Sequence, residues 1–250
     1  MILALILALA IGVSLGLLGS GGSIITLPVL VYAAKVPAAQ AVPMSLAVVG
    51  GTTLVGSILN ARSGQIHGKA ALLFSLTGVL GALGGSQLTH LVRQPVLLLI
   101  FAGLMIVVGL LMFRPRANRG TDAKAECHWV SCTATGLVVG FLTGFIGVGG
   151  GFLIVPALLL LARVPLKRAI ATSLVVITVT SAAGLIGHLQ RTHFDWRTAG
   201  MFLALAIVGM LAGRKFSRQL ETERLRYWFA WFVLAVAVFV IAENWKTLAG

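Results

Sequence analysis

Two stretches of this sequence carry residue types from which a binding site for a small anion can be assembled. Gly19-Ser20-Gly21-Gly22-Ser23 and Gly147-Val148-Gly149-Gly150-Gly151 each interrupt a run of apolar residues. A break of this kind at membrane depth is tolerated where the backbone is buried in protein or lines a wet cavity. Helices starting after Gly21–Ser23 and Gly149–Gly151 would turn free N–H groups and positive dipole ends toward the gap, which suits an anion. The same glycines would also serve close helix packing.

Hydroxyls form the second candidate set. Ser45, Thr52, Thr53, Ser57 and Asn60 lie on one apolar segment, and Thr172, Ser173, Thr178, Thr180 and Ser181 on another. Ser45 and Thr52 are seven residues apart, as are Ser173 and Thr180, so each pair shares a helical face. Such hydroxyls can donate to oxyanion oxygens without placing a permanent charge in lipid, or bond back to carbonyls of their own helix. His188 stands near the end of its segment, where the first set has Asn60. An imidazole there could carry a proton or touch substrate, or sit satisfied at the interface.

Several chemistries are excluded. All six acidic residues (Asp122, Glu126, Asp195, Glu221, Glu223 and Glu243) fall in connectors or at segment ends. An intramembrane carboxylate site for Na⁺ or H⁺ antiport, or an acidic ring selecting cations, is therefore not available. Ser20 has Val148 at the matching position and no motif pairs it with a histidine, which argues against a serine nucleophile. No phosphate loop, dinucleotide fingerprint or metal cluster appears. Cys127 and Cys132 flank His128 without further ligands at metal spacing and read as small apolar residues. The expectation is a non-enzyme with neither cofactor nor metal.

These residues must be positioned by elements that live in lipid. The 250 residues are 58% hydrophobic and 10% charged, with a mean hydropathy of +1.03. A soluble domain carries about 25% charged residues, so a bilayer is the expected surroundings. The net charge of +13 then reflects cytoplasmic loops facing anionic lipid, and nucleic acid is not a partner. Residues 1–18 lack the basic start and cleavage pattern of a leader and read as a retained first helix.

A duplication organises the chain. Offset by 128 positions and without gaps, residues 12–58 match 140–186 at 17 of 47 positions. Gly12, Gly16 and Gly19 fall on Gly140, Gly144 and Gly147; further on, Gly81 and Gly85 fall on Gly209 and Gly213. Each half divides into apolar pieces, at 1–18, 22–34, 41–60, 70–91 and 95–113, then 129–147, 150–162, 169–189, 198–213 and 226–242. The expected fold is an all-α polytopic bundle of two repeats, 1–113 and 129–250, joined by a hydrophilic connector, 114–128. It has eight long spans and two short Gly-broken ones. If the chain turns back at both glycine breaks, Lys and Arg divide 14 to 5 between the two sides. That bias favours halves of opposite orientation in an inner membrane.

GLLGSGGSIITLPVL and GFIGVGGGFLIVPALLL, with a segment such as ATSLVVITVTSAAGLIGHLQRTHFDW after the second, resemble the TauE/SafE sulfite-exporter permeases across nearly the whole chain. The resemblance implies a secondary transporter that exports a small sulfur-containing or organic anion such as sulfite, sulfoacetate or a related sulfonate. Protons are the coupling ion it suggests. A passive anion channel is the alternative. Pro43-Met44 stands where the second half has Ala171-Thr172, so the halves contribute unequally to a site.

Overall fold

The computed structural model describes residues 2–19, 21–64, 66–87, 94–113, 129–146, 151–160, 164–189, 195–219 and 222–248. These form ten helices, with no strand among the described residues: α1 (Ile2–Leu18), α2 (Gly21–Pro28), α3 (Ala38–Ala61), α4 (Gly68–Ser86), α5 (Gln94–Phe113), α6 (Trp129–Ile146), α7 (Gly151–Leu160), α8 (Leu166–Leu189), α9 (Trp196–Gln219) and α10 (Thr222–Leu248). Among the described residues five of them, α3, α4, α8, α9 and α10, are long and apolar enough to cross a membrane, while α1, α5 and α6 carry shorter apolar stretches; eight long spans stay an expectation. The sequence reading stopped α9 at residue 213. The helix runs on through Arg214-Lys215-Phe216-Ser217 because this stretch still packs on α1, where the Ser217 Oγ donates to the Leu17 carbonyl at 3.4 Å.

α2 ends in a π-helical turn, Val29–Ala33, because Pro28 has no N–H to donate and its ring disfavours the regular helical bond. The chain leaves that turn through a bond from Val36 N–H to the Leu30 carbonyl, 3.0 Å. Val164 N–H makes the same bond to Leu158 after α7, 2.9 Å, and both of its residues lie 128 positions further on. Shared prolines thus produce shared exits.

The principal helix pairs are α1 with α9, α4 with α6, α3 with α8 and α5 with α10. Exchanging each helix with the one five elements away leaves this set unchanged. One core cluster draws on α1, α2, α3 and α9 (Ile11, Leu15, Leu30, Met44, Phe202, Met210). The other draws on α4, α6, α7 and α8 with α5 and α10 (Phe74, Met105, Cys132, Leu158, Ile177, Phe229), and Leu17, Leu18, Ile24 and Val49 reach into it. Three consecutive helices of one half thus pack with one helix of the other in each cluster, and the α5–α10 pair adds to the second.

Glycine makes the cross-half pairs possible. A Cβ on Gly12 would collide with the Ala206 carbonyl oxygen of α9, and one on Gly140 with the Gly78 carbonyl oxygen of α4. Removing those side chains lets the backbones touch, the usual basis of helix association in lipid. The repeated glycines thus mark the α1–α9 and α4–α6 seams. Cys132, read from sequence as a plain apolar residue, is buried and disulfide-bonded; Cys127 lies outside the described residues.

Candidate functional site

α3 and α8 pack against each other, and hydroxyls stitch the crossing. The Thr178 Oγ1 donates to Thr53 Oγ1 at 3.0 Å, with Ser57 Oγ 3.5 Å from the same Thr178 oxygen. The position matching Thr178 is Gly50, and the one matching Thr53 is Ser181. There the contact repeats without a hydrogen bond, since a Cβ on Gly50 would meet Ser181 Cβ at 3.1 Å. Gly56 faces Leu174 and Gly184 faces Leu46 in the same paired manner.

Beside this crossing lies a cavity of about 160 Å³. Ser23 of α2 and Gly151 of α7 line it with Ser45 of α3 and Thr180 and Ser181 of α8, while Phe74 and Gly78 of α4 close one wall. Both post-glycine helices and both hydroxyl-bearing helices thus meet at one space. Two of these hydroxyls also bond within their helices: Ser45 Oγ donates to the Val42 carbonyl at 2.8 Å and Thr180 Oγ1 to Val176 at 3.0 Å. Each oxygen retains lone pairs, and each proton can be redirected to an anion.

Other residues expected at the site lie elsewhere. Thr52 is buried and donates to the Val48 carbonyl at 2.7 Å; it lines neither of the two cavities described here. Two helical turns separate it from Ser45, so a shared face did not mean a shared cavity. Thr172 is buried and accepts the His67 backbone N–H at 3.1 Å, tying the α3–α4 loop to α8. Ser173 is buried, donates to Ile170 at 2.8 Å, and sits 3.0 Å from where Gly19 would carry a Cβ. Gly19 turns the chain out of α1 with a positive φ of 75°, a conformation other residues rarely adopt. Gly22 is pressed against α1, where a Cβ would meet the Ile11 carbonyl oxygen at 2.5 Å. Gly21 opens α2. Ser20, Gly147, Gly149 and Gly150 lie outside the described residues. His188 belongs to the last turn of α8, and its imidazole is likewise outside them.

A second cavity, of about 230 Å³, lies where α1 and α3 end and α8 begins. Asn60, Lys167, Arg214 and Ser217 supply its polar lining. The Arg214 guanidinium donates through Nη2 to the Leu59 carbonyl at 2.8 Å and to Ser63 Oγ at 3.3 Å, and through Nε to Asn60 Oδ1 at 3.4 Å. Asn60 Nδ2 in turn donates to the Gly56 carbonyl at 2.9 Å. Sequence reasoning had Asn60 but missed Lys167 and Arg214, because loop-end cations in a membrane protein are first read as topology signals. The apolar rim gives the relation between the cavities. Ile170, Leu174 and Met210 of the second match Val42, Leu46 and Ala82 of the first at the 128-residue offset.

Residues 4–240 match the family model described as "Sulfite exporter TauE/SafE". The chain belongs to the TauE/SafE family. Among similar proteins, a "Probable membrane transporter protein" of Xylella fastidiosa (strain 9a5c) is 35% identical over 95% of this chain and 94% of its own. "Probable membrane transporter protein YunE" of Bacillus subtilis is 28% identical over 90% and 91%. "Probable membrane transporter protein MJ0441" of Methanocaldococcus jannaschii is 29% identical over 75% and 73%. No solved structure matches the chain. This TauE/SafE protein is a multi-pass membrane transporter and not an enzyme.

Proposed function

We propose that this protein is a secondary transporter that exports a small sulfur-containing or organic anion, such as sulfite, sulfoacetate or a related sulfonate, across the inner membrane by alternating access. The observation that carries this reading is the relation between the two cavities. They share offset-matched rim residues and lie along opposite halves of α3, Ser45 and Asn60 being about 22 Å apart along its axis at 1.5 Å per residue. Two such spaces flanking one crossing are what an inverted repeat offers as its two access routes.

The lining chemistry supports an anion. Hydroxyls line the first cavity, cations the second, and no carboxylate lines either among the described residues. Outward movement of a monovalent anion gains about 2.3 kcal/mol per 100 mV of inside-negative potential, so an ion gradient is not obligatory. Protons remain the coupling partner to test, with His188 as the residue to titrate. The moving bodies in this reading are the two mixed bundles rather than the sequence halves, since the glycine seams join α9 to α1–α3 and α4 to α6–α8.

Positive charge assigns the ends of α1, α3 and α9 and the start of α8 to the cytoplasm. The disulfide at Cys132 belongs by chemistry to an oxidising face, and this assignment puts the start of α6 on the reducing one. Labelling of the exposed Lys167 amine by a membrane-impermeant reagent in intact cells decides: protection supports the orientation, and modification reverses it.

The functional test is flux in proteoliposomes with sulfite, sulfate, thiosulfate, sulfoacetate, taurine and lactate under imposed pH and voltage steps. Saturable uptake of sulfite or a sulfonate, accelerated by unlabelled substrate inside, supports the carrier. Unsaturable flux at channel rates replaces it with a pore. No flux of any anion from folded protein overturns the substrate class.

A further inference from the structure

We propose that the second cavity is a capture site for a small oxyanion, present at one mouth of the pathway only, with Lys167 and Arg214 as its recognising charges. The inference rests on the transporter reading and adds to it a site outside the central hydroxyl cavity. Arg214 is half-buried and held at the wall by the Leu59 carbonyl, Asn60 and Ser63. Bonds through Nε and Nη2 fix the plane of the guanidinium and hold its positive charge at the cavity wall. Lys167 stands one residue inside the start of α8, with an exposed side chain on a flexible stem.

A cavity of about 230 Å³ has room for an oxyanion together with several waters, each needing about 30 Å³. Two positive charges on a partly apolar wall of Gly16, Ile170, Leu174 and Met210 attract an anion more strongly than they would in open water. The duplication supplies the second, independent argument. The rim is repeated but the charge is not: Ser86 matches Arg214 and Ala39 matches Lys167. A charge pair added at one end of a duplicated pathway makes the two faces unequal in affinity. The substrate is thus concentrated at the face from which it is taken up.

The test uses full-length protein reconstituted in one orientation, with radiolabelled sulfite presented to either face. Lys167→Gln and Arg214→Gln are each expected to raise KM about tenfold at the Arg214 face and to weaken its dependence on added salt. KM at the opposite face and the maximal rate should stay within twofold. Arg214→Lys should recover part of the affinity. Arg214 also carries hydrogen bonds, so Lys167→Gln, at an exposed side chain, keeps the test open if Arg214→Gln does not fold. Unchanged KM at both faces, or an equal rise at both, overturns the capture site while leaving transport intact. No sulfite flux by the wild type overturns the transporter reading for sulfite, and the capture site with it.

Discussion

Ser23 and Gly151 occupy the same position in the two halves of the sequence and face each other in the structure. Ser23 Oγ lies 2.8 Å from the point where Gly151 would carry a Cβ. The smaller residue on one side makes room for the hydroxyl on the other, and both line the first cavity. A side chain at 151 would compete for that space with Ser23 and with the Ile177 side chain, 2.9 Å away. Both neighbours are side-chain tips that can move, so the fold should tolerate what the cavity cannot.

Gly151→Leu is therefore expected to abolish flux, by at least about tenfold, while folded yield in size-exclusion chromatography persists. Thr180→Val should raise KM several-fold by removing a lining hydroxyl at constant volume. Ser173→Ala should change KM less than twofold, since Ser173 lines neither cavity. Equal effects of the Thr180 and Ser173 variants would move the binding site away from this cavity.

Glycine substitutions separate packing from site. Gly12→Leu and Gly140→Leu push a side chain into backbone carbonyls that cannot yield, so destabilisation should reach or exceed the 1–3 kcal/mol typical of overpacking. Gly84→Leu and Gly103→Leu meet nothing within 4 Å and should leave the thermal midpoint unchanged. Thermal unfolding in detergent measures all four.

The α3–α8 crossing offers a probe of motion. Thr178→Val removes the hydroxyl bonded to Thr53, a cross-helix bond of a kind worth about 0.6 kcal/mol in membranes. The thermal midpoint should drop only slightly. If the crossing is the pivot between bundles, the maximal transport rate should shift several-fold with KM nearly constant. An unchanged rate would place the pivot elsewhere.

Asp195 caps α9 outside the membrane. Its carboxylate accepts from the Thr198 hydroxyl and from the backbone N–H groups of Arg197 and Thr198. The Thr198 hydroxyl bond, followed by the Arg197 N–H, holds its pKa below the usual carboxylate value. The folded form thus prefers the ionised group. Its stabilisation is complete above the unfolded pKa of about 3.9 and is lost as pH falls through the lower folded value. Asp195→Ala should lower the thermal midpoint at pH 7, and the gap should close in stronger acid. Asp195→Asn, also a good cap, should recover much of the midpoint without the pH dependence.

The helices were legible because apolar length and glycine or proline punctuation act locally. Segments 41–60 and 95–113 lie within α3 and α5, segment 1–18 contains α1, and the short piece 22–34 corresponds to α2 with its π turn. Repeated glycines were legible as a pattern, but their partners were not. Nothing local tells that Gly12 meets Ala206 or that Gly140 meets Gly78. Ser45 and Thr180 were reached by helical spacing. Thr52 and Ser173 show where spacing fails, because a helical face says nothing about depth along the axis. Arg214 and Lys167 read only as topology charges, since their repeat counterparts are Ser86 and Ala39 and only folding brings the two cations to one wall.

The trading of α4 and α9 between bundles bears on how such a chain could be divided or have arisen. Cutting the polypeptide within 114–128 would not free two self-sufficient pieces. Each fragment would carry off the helix that seals the other's core, so the fragments should be recovered folded when made together and should aggregate when made alone. By the same logic, a single five-helix ancestor would have been stable only as an arm-exchanged dimer. Fusing the genes would then have tethered partners that were already obligate.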